Sequence, residues 1–323
     1  MCYSAMVQQD MAKLAKQYHA DIDLDRYEEL FSRRHDGEKL ILPRGMEQPF
    51  TSHPKSKQEK AIAKLIGEWH TQQIMLREEE LFKQSKRLAD AERKLKDKET
   101  KKTLNDQRIA SEKIPWLKDK IKWHKLKKAK DSDYRVFPQH YISMVYTDDA
   151  GNRRVGPFRY HLRPAFANEQ WDYQRQGAYN ARRDSLKKVW KNQFGNKHGI
   201  MQIKCFWENV DPNKYKSKPK LSNALKQKDN IILKFEPEDG LWMEVPTIYD
   251  IWERKGKPSL YSTALITDDP LEEIQRAGHD RTPVSLNSAT ARVWLEPQSH
   301  SKDELSALLD EIKRPYYEHA IAA

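Results

Sequence analysis

The chain of 323 residues carries 59 Lys and Arg against 48 Asp and Glu, so its formal net charge at pH 7 is +11. A positive charge of this size favours polyanionic partners, of which nucleic acid is the commonest. Two cysteines exclude a disulfide framework, and the sequence shows no signal-peptide pattern and no apolar run long enough to cross a bilayer. We therefore expect a cytoplasmic protein without membrane association.

The first notable residue along the chain is Cys2, directly after Met1. A side chain this small permits removal of an initiator methionine, which would leave Cys2 with both a free α-amine and a thiol. That pair makes Cys2 a candidate nucleophile. A terminal residue held in a sheet, or an exposed thiol without a function, explains Cys2 equally well.

Residues 55–130 differ in composition from the rest of the chain and predict an inserted helical hairpin. The first part is rich in Lys and Glu, lacks proline after Pro54, and has apolar residues at heptad spacing, namely Ile74, Leu81, Leu88 and Leu95. The second apolar heptad position is poor, since it is occupied by Arg77, Gln84, Ala91 and Lys98. The pattern therefore favours packing on a neighbouring helix over a free-standing two-stranded coiled coil.

The returning helix of the hairpin is predicted in "TLNDQRIASEKIPWLKDKIKWHKLKKAK", with Pro115 in the first turn of a new helix. Its other face combines lysines with Trp116 and Trp123. Lysines interleaved with aromatic residues bind nucleic-acid backbones and stack bases, but a lysine run is more often a solvated helix face. Two hypotheses remain for the insertion: it contacts phosphates, or it binds a protein partner or a second copy of the chain.

From Tyr134 onward the sequence predicts short strands separated by Gly, Pro, Asn and Asp. The strand candidates are "YISMVYT", "RRVGPFRYHL", "IMQIKCFWENV", "NIILKFEP", "LWMEVPTIYDIW" and "YSTALIT". A helix with a capping box at Ser301 and Glu304 follows, and its apolar stripe is Leu305, Leu308, Leu309 and Ile312. This order indicates an α+β fold, and we expect one domain with its core at about 1–54 and 131–323.

Three distant stretches each offer one polar side chain that folding does not obviously need. Asn180 precedes a predicted helix, "ARRDSLKKVW", and is either its N-cap or a site residue. Glu208 lies in an apolar strand, where burial would raise its pKa and suit it to donate protons, unless it points to solvent. His279 follows the glycine at which a helix should end, and is a possible acid or base or a plain surface histidine.

Six short motifs in order resemble the SOS-response-associated peptidase (SRAP) family. They are "MC", "NAR" followed by the acid Asp184, "CFWEN", "GLW", "ALIT", and "HDRTP" followed by "VSL". The resemblance covers roughly residues 1–20 and 134–315 and leaves the hairpin outside the family's usual core. It implies an SRAP-like, mainly antiparallel sheet or barrel with flanking helices.

The resemblance also implies an activity and a site. In the family, an N-terminal cysteine captures the ring-opened aldehyde of an abasic site in single-stranded DNA as an imine, which its thiolate closes to a thiazolidine. The matching positions here are Cys2 as nucleophile, Asn180 as the residue that orients it, Glu208 as acid and base, and His279 as the group that assists sugar-ring opening. The expected DNA contacts are Arg182, Arg281, Trp171 and Thr267. No cofactor or metal is implied, since the sequence has neither ligand spacing nor a glycine-rich phosphate loop.

Two other classes of function remain open. Cys2 could also serve as the nucleophile of an N-terminal-nucleophile hydrolase, either amidotransferase-like, which the later motifs fit poorly, or a peptidase that removes its own Met1. Alternatively, the chain is a non-catalytic DNA-binding protein in which the basic hairpin does the binding.

Overall fold

The computed structural model of the protein describes residues 3–217, 220–311 and 313–322. The predicted α+β class is confirmed, because helices flank one large, mostly antiparallel sheet. Its described strands are β1 (Ser4–Val7), β2 (Asp21–Ile22), β3 (Arg135–Val136), β4 (Tyr141–Thr147), β5 (Arg153–Tyr160), β6 (Asn180–Arg182), β7 (His198–Val210), β8 (Ile231–Pro237), β9 (Met243–Trp252), β10 (Leu260–Asp268), β11 (Thr282–Pro283) and β12 (Tyr317–Ile321).

Long strands β7 and β10 organise this sheet. Strand β7 pairs antiparallel with β1, β4, β8 and β9, and β10 pairs antiparallel with β9 and β11. The parallel pairs among the described strands are β2 with β5, β5 with β10 and β6 with β10. Through these pairings, segments far apart in sequence meet, with Ala5 opposite Phe206 and Asn180 opposite Leu265.

The helices of the described residues are α1 (Met11–Tyr18), α2 (Leu24–His35), α3 (Arg44–Ser52), α4 (Lys57–Asp97), α5 (Lys101–His124), α6 (Trp171–Gln174), α7 (Asn223–Lys226), α8 (Glu272–Arg276), α9 (Ser288–Trp294) and α10 (Lys302–Leu308). None of them has the length and apolarity that a bilayer-crossing helix requires. The chain divides into two compact units: Met1–Leu30, Lys39–Pro49 and Lys130–Ala323 form one, and Phe31–Glu38 with Phe50–Ala129 form the other.

The core of the larger unit consists of strand residues that are buried on both faces of the sheet. Every residue of β4 is buried, as is nearly every residue of β7. Aromatic side chains fill the interior, and Phe206 stacks on Phe235 with ring centroids 5.3 Å apart. Burial of each such side chain stabilises the fold by about 1.5–3 kcal/mol, so β7 is firmly held along its length.

The six strands predicted beyond Tyr134 are confirmed as β4, β5, β7, β8, β9 and β10. The capping box of the last helix is confirmed as well, because Glu304 N donates to Ser301 Oγ and Ser301 N to the Glu304 carboxylate. That helix, α10, ends at Leu308. Leu305 and Leu309 are buried, whereas Ile312 lies outside the described residues.

The helix predicted at "ARRDSLKKVW" is wrong. Residues Asn180–Arg182 form β6 instead, and only a single 3-10 turn, Arg183–Ser185, follows. The segment joins β10 through parallel ladder bonds, and this non-local pairing outweighs the local helix propensity. Asn180 is therefore a strand residue and not a helix N-cap.

The smaller unit contains the hairpin of α4 and α5. Each helix begins with a capping box, formed by Ser56 with Glu59 and by Thr100 with Thr103. Three ion pairs link the two helices: Arg87 with Asp106 at 2.6 Å, Lys113 with Glu80 at 3.0 Å, and Lys125 with Glu78 at 3.1 Å. That residues 55–130 are an insertion in one continuous domain stays a proposal.

Two details of the predicted hairpin are wrong. Pro115 lies inside the continuous helix α5, not in the first turn of a new one. Proline has no backbone N–H, so the Ser111 carbonyl lacks its usual helical partner, but Ser111 is exposed and solvent can bond that carbonyl. The heptad position with the poorer apolar content, which contains Gln84 and Ala91, is the more buried of the two. Gln84 and Ala91 are buried, whereas Ile74, Leu81, Leu88 and Leu95 are only half-buried, because small residues such as Ala91 and Ala110 let the helices approach.

Candidate functional site

Glu208 lies near the end of β7 with its side chain inside the protein. Its exposed fraction is 1%, so the alternative that it points to solvent is excluded. The Tyr3 backbone N–H donates to Glu208 Oε2 at 3.4 Å, which brings the start of β1 to this carboxyl group. Burial raises the pKa of Glu208 to about 8, so the carboxyl group holds its proton at neutral pH.

His279 reaches Glu208 from the loop after α8. The helix ends as predicted before Gly278, whose φ of +93° favours glycine, and a Cβ there would lie 2.7 Å from Val210 Cγ1. This tight turn directs His279 inward, where it is 8% exposed. Its Nε2 lies 3.2 Å from Glu208 Oε2 and its Nδ1 lies 3.0 Å from the Arg281 carbonyl oxygen.

The contacts of the two side chains define where their protons lie. A carbonyl oxygen only accepts hydrogen bonds, so the Nδ1 of His279 must donate to Arg281. Burial lowers the pKa of His279 to about 4, which leaves the imidazole neutral and its Nε2 an acceptor. The protonated Glu208 then donates to that Nε2. At neutral pH the pair is an uncharged, hydrogen-bonded acid and base.

A second group of predicted residues meets where β6 runs beside β10. Asn180 pairs with Leu265, and Arg182 pairs with Thr267. Asn180 is 8% exposed and Thr267 is fully buried, yet neither side chain has a hydrogen-bond partner among the described residues. An unsatisfied buried amide costs about 1–3 kcal/mol, so the Asn180 amide is held at a cost to stability and remains available to bind another group.

The two predicted DNA-contact arginines each lie against acidic side chains. Arg182 Nη2 bonds Asp269 Oδ1 at 3.0 Å and its Nε bonds Asp184 Oδ2 at 3.1 Å. Arg281 Nε bonds Asp280 Oδ1 at 3.1 Å. These acids are exposed, and ion pairs of this kind are weak. A phosphate could therefore replace the carboxylates on both arginines.

Trp171 lies at the start of α6 and makes contacts of its own. Its indole Nε1 donates to the Leu162 carbonyl oxygen at 3.0 Å, and its ring lies edge-on to Phe166, 5.9 Å between centroids. Phe166 is 66% exposed. The adjacent Asp172 accepts two hydrogen bonds from Arg159, at 2.7 and 3.0 Å, and further bonds from Arg163, which fix the start of α6.

Comparison with known proteins identifies the family. The model of the family described as SOS response associated peptidase (SRAP) matches residues 95–321. The chain belongs to the SRAP family. Within the described residues, no cluster of three or more His, Cys, Asp or Glu side chains has the arrangement of a metal site.

The individual proteins that the chain resembles share less than 30% of their residues with it. Over 181 residues the chain is 28% identical to the abasic site processing protein YoaM of Bacillus subtilis, a match that covers 54% of this chain and 71% of that protein. A crystal structure from Bacteroides thetaiotaomicron covers 59% of this chain and 78% of its own, with 19% identity and a TM-score of 0.46. A phage-related protein from Bordetella bronchiseptica covers 62% and 86%, with 13% identity and a TM-score of 0.43.

The SRAP positions predicted from sequence fall into three sets. Glu208 and His279 are in direct contact, and Asn180, Arg182 and Thr267 share neighbouring strands. Arg281 adjoins the first set, because its carbonyl oxygen accepts from His279 Nδ1, and Trp171 forms the third set with contacts of its own. Cys2 lies outside the described residues. Sequence reasoning missed the Tyr3 amide as a partner of Glu208, because a backbone N–H leaves no signature in the sequence.

Proposed function

We propose that this SRAP protein processes abasic sites in single-stranded DNA by forming a covalent bond through Cys2. The observation that supports this best is the buried Glu208–His279 pair together with the Tyr3 amide on Glu208. Tyr3 directly follows Cys2 in the chain, so the proposed nucleophile belongs to the segment whose backbone contacts the proposed acid. The relative YoaM, named for abasic site processing, supports the same substrate.

The proposed reaction condenses Cys2 with the open-chain sugar aldehyde. The α-amine of Cys2, freed by removal of Met1, adds to C1′ to give a carbinolamine, which loses water to form an imine. The Sγ thiolate then adds to the same carbon while the imine nitrogen gains a proton. The product is a five-membered thiazolidine, and the only molecule released is one water.

Glu208 and His279 have complementary roles in this scheme. Loss of water requires a proton donor near the carbinolamine oxygen, and Glu208 retains a proton at neutral pH because its pKa is raised to about 8. His279 is neutral because burial lowers its pKa to about 4, and its Nε2 accepts a proton from the sugar hydroxyl as the ring opens, once the Glu208 hydrogen bond to that nitrogen is exchanged for one to the substrate. Asn180 would hold the Cys2 amine with its unpartnered amide oxygen.

The test is the intact mass of the protein before and after incubation with a short single-stranded oligonucleotide that carries one abasic site. We expect loss of Met1 from the purified protein and an adduct that survives denaturation. The mass of the adduct should equal protein plus oligonucleotide minus one water. An oligonucleotide with intact bases should give no adduct.

Cysteine variants supply the matched control. Cys2→Ala should abolish the adduct, whereas Cys205→Ala should leave it unchanged, because Cys205 is fully buried and burial raises its thiol pKa to about 11. An adduct that persists in Cys2→Ala would overturn the proposal. A purified chain that retains Met1 and still forms the adduct would also overturn it, since Cys2 would lack a free amine.

A further inference from the structure

The positive charge of the protein is concentrated in one part of the chain. Residues 55–130 contain 23 Lys and Arg against 12 Asp and Glu, a net charge of +11, which equals that of the whole chain. The remaining residues carry 36 of each sign and are neutral overall. Any attraction of a polyanion by net charge therefore acts through the hairpin.

Within residues 55–130, the excess is greatest from the second half of α5 to the segment that follows it. Residues 113–130 contain eight lysines and a single acid, Asp119. Three of these lysines lie on α5, are exposed and have no ion-pair partner in the described parts of the chain, namely Lys118, Lys120 and Lys122. By contrast, Lys113 and Lys125 pair with glutamates of α4.

An exposed tryptophan lies among these cations. Trp116 is 52% exposed, and Lys120 Nζ lies 5.9 Å from the centroid of its ring and 6.0 Å from that of Trp123. Positions 116, 120 and 123 follow one another at helical spacing, so the three side chains share a face of α5. Lys118 and Lys122 lie farther around the exposed side of the helix, about 160° and 120° from Trp116. We call Trp116, Lys118, Lys120, Lys122 and Trp123 together the lysine–tryptophan surface, and a single strand that contacts all of them must wrap partly around α5.

We propose that the lysine–tryptophan surface binds single-stranded nucleic acid, with phosphates on its lysines and an unpaired base stacked on Trp116. Charge complementarity favours a polyanion, and the half-exposed indole favours one with accessible aromatic faces. A duplex offers phosphates but keeps its bases paired, so it should bind less well. This surface needs no abasic site and does not depend on the chemistry proposed for Cys2.

The buried face of α5 argues against a lipid surface as the occupant. A helix that lies in a membrane interface presents a broad apolar face outward. The apolar residues of α5 point inward instead, with Ala110, Leu117 and Ile121 buried in the hairpin. The outward side offers charge and an exposed tryptophan, the combination found in single-strand binding grooves.

The test is the affinity of the full-length protein for a fluorescent 30-mer single strand with intact bases, measured by anisotropy over a range of salt concentrations. Trp116→Ala should raise Kd by about 5- to 150-fold, the loss that follows removal of a base-stacking partner. The triple variant K118Q/K120Q/K122Q should weaken binding and lower the slope of log K against log salt by about two. A duplex of equal length should bind more weakly than the single strand.

Two controls distinguish this surface from a general effect of charge or exposed aromatics. K96Q/K98Q/K101Q removes the same charge around the turn of the hairpin, and Phe82→Ala removes an aromatic ring of α4 that is 73% exposed. Each of these control variants should change Kd by less than about threefold. Equal weakening by the two triple variants, an unchanged Kd in Trp116→Ala, or a preference for duplex would each overturn the proposal. Trp116→Ala should still form the adduct on saturating abasic DNA, because this surface does not take part in the Cys2 chemistry. Failure of the surface proposal is thereby distinguished from failure of the proposed function.

Discussion

The larger compact unit, here called the sheet unit, and the hairpin of α4 and α5 place their notable side chains in opposite environments. In the sheet unit, Asn180, Glu208 and His279 are each buried to more than nine tenths, and Glu208 and His279 are brought together from positions 71 residues apart. In the hairpin, the notable side chains are exposed and lie close together in sequence, as Trp116 and Lys120 do. Acid–base chemistry benefits from burial because burial shifts pKa values. Phosphate binding needs charges that remain accessible to the partner.

This contrast suggests a division of labour between the two units. The sheet unit carries almost no net charge, since the residues outside 55–130 are neutral overall, and it would recognise a reactive aldehyde by chemistry, whereas the hairpin would retain the nucleic acid without regard to damage. If so, variants in the sheet unit should alter reaction rates and the stability of that unit, and variants in the hairpin should alter affinity. The following substitutions test that separation.

The largest effect on stability is expected from the buried ion cluster of the sheet unit. Burial of Asp172 opposes its ionisation, but hydrogen bonds from Arg163 and Arg159 outweigh this and hold its pKa below the ordinary value. Asp172→Asn leaves both buried guanidinium groups without a counter-charge, so we expect a loss of about 3 kcal/mol or more. Hydrogen–deuterium exchange should show faster exchange in β5 and β10, with α4 and α5 unchanged.

Removal of the proposed acid should affect rate more than stability. Glu208→Gln keeps the shape of the side chain but has no transferable proton, so we expect adduct formation to slow by about 100-fold or more. In the wild type, the rate should fall above pH 8, since Glu208 with a pKa of about 8 then ionises and donates no proton. This alkaline decline should be absent from Glu208→Gln in single-turnover kinetics.

The exposed Glu318 on β12 supplies the matched control for this substitution. Glu318→Gln makes the same side-chain replacement at an exposed position and should retain both the wild-type rate and its alkaline decline. A wild-type rate in Glu208→Gln would show that the buried carboxyl group has a structural role alone.

The sequence predicted those features that depend on local patterns. Alternating apolar residues located β4 and β10, and the spacing of Ser301 and Glu304 located the start of α10. It failed at "ARRDSLKKVW", where pairing of β6 with β10 overrides helix propensity, and at the hairpin, where packing of small residues set the buried face. Likewise, contact between Glu208 and His279 depends on a register between distant segments that no local pattern encodes.

The smallest effect is expected from an ion pair of the hairpin. Arg87 and Asp106 join α4 to α5 at 2.6 Å, with side chains 35% and 29% exposed. Solvent screens such a pair, so Asp106→Asn should cost about 0.2–1 kcal/mol, and less at high salt. The readout is hydrogen–deuterium exchange of the α4 and α5 amides, measured by the same method as for Asp172→Asn. If Asp106→Asn and Asp172→Asn both cost about 3 kcal/mol of stability, the contrast between the two units would be contradicted. Such a result would mean that a buried ion pair stabilises the hairpin as it does the sheet unit.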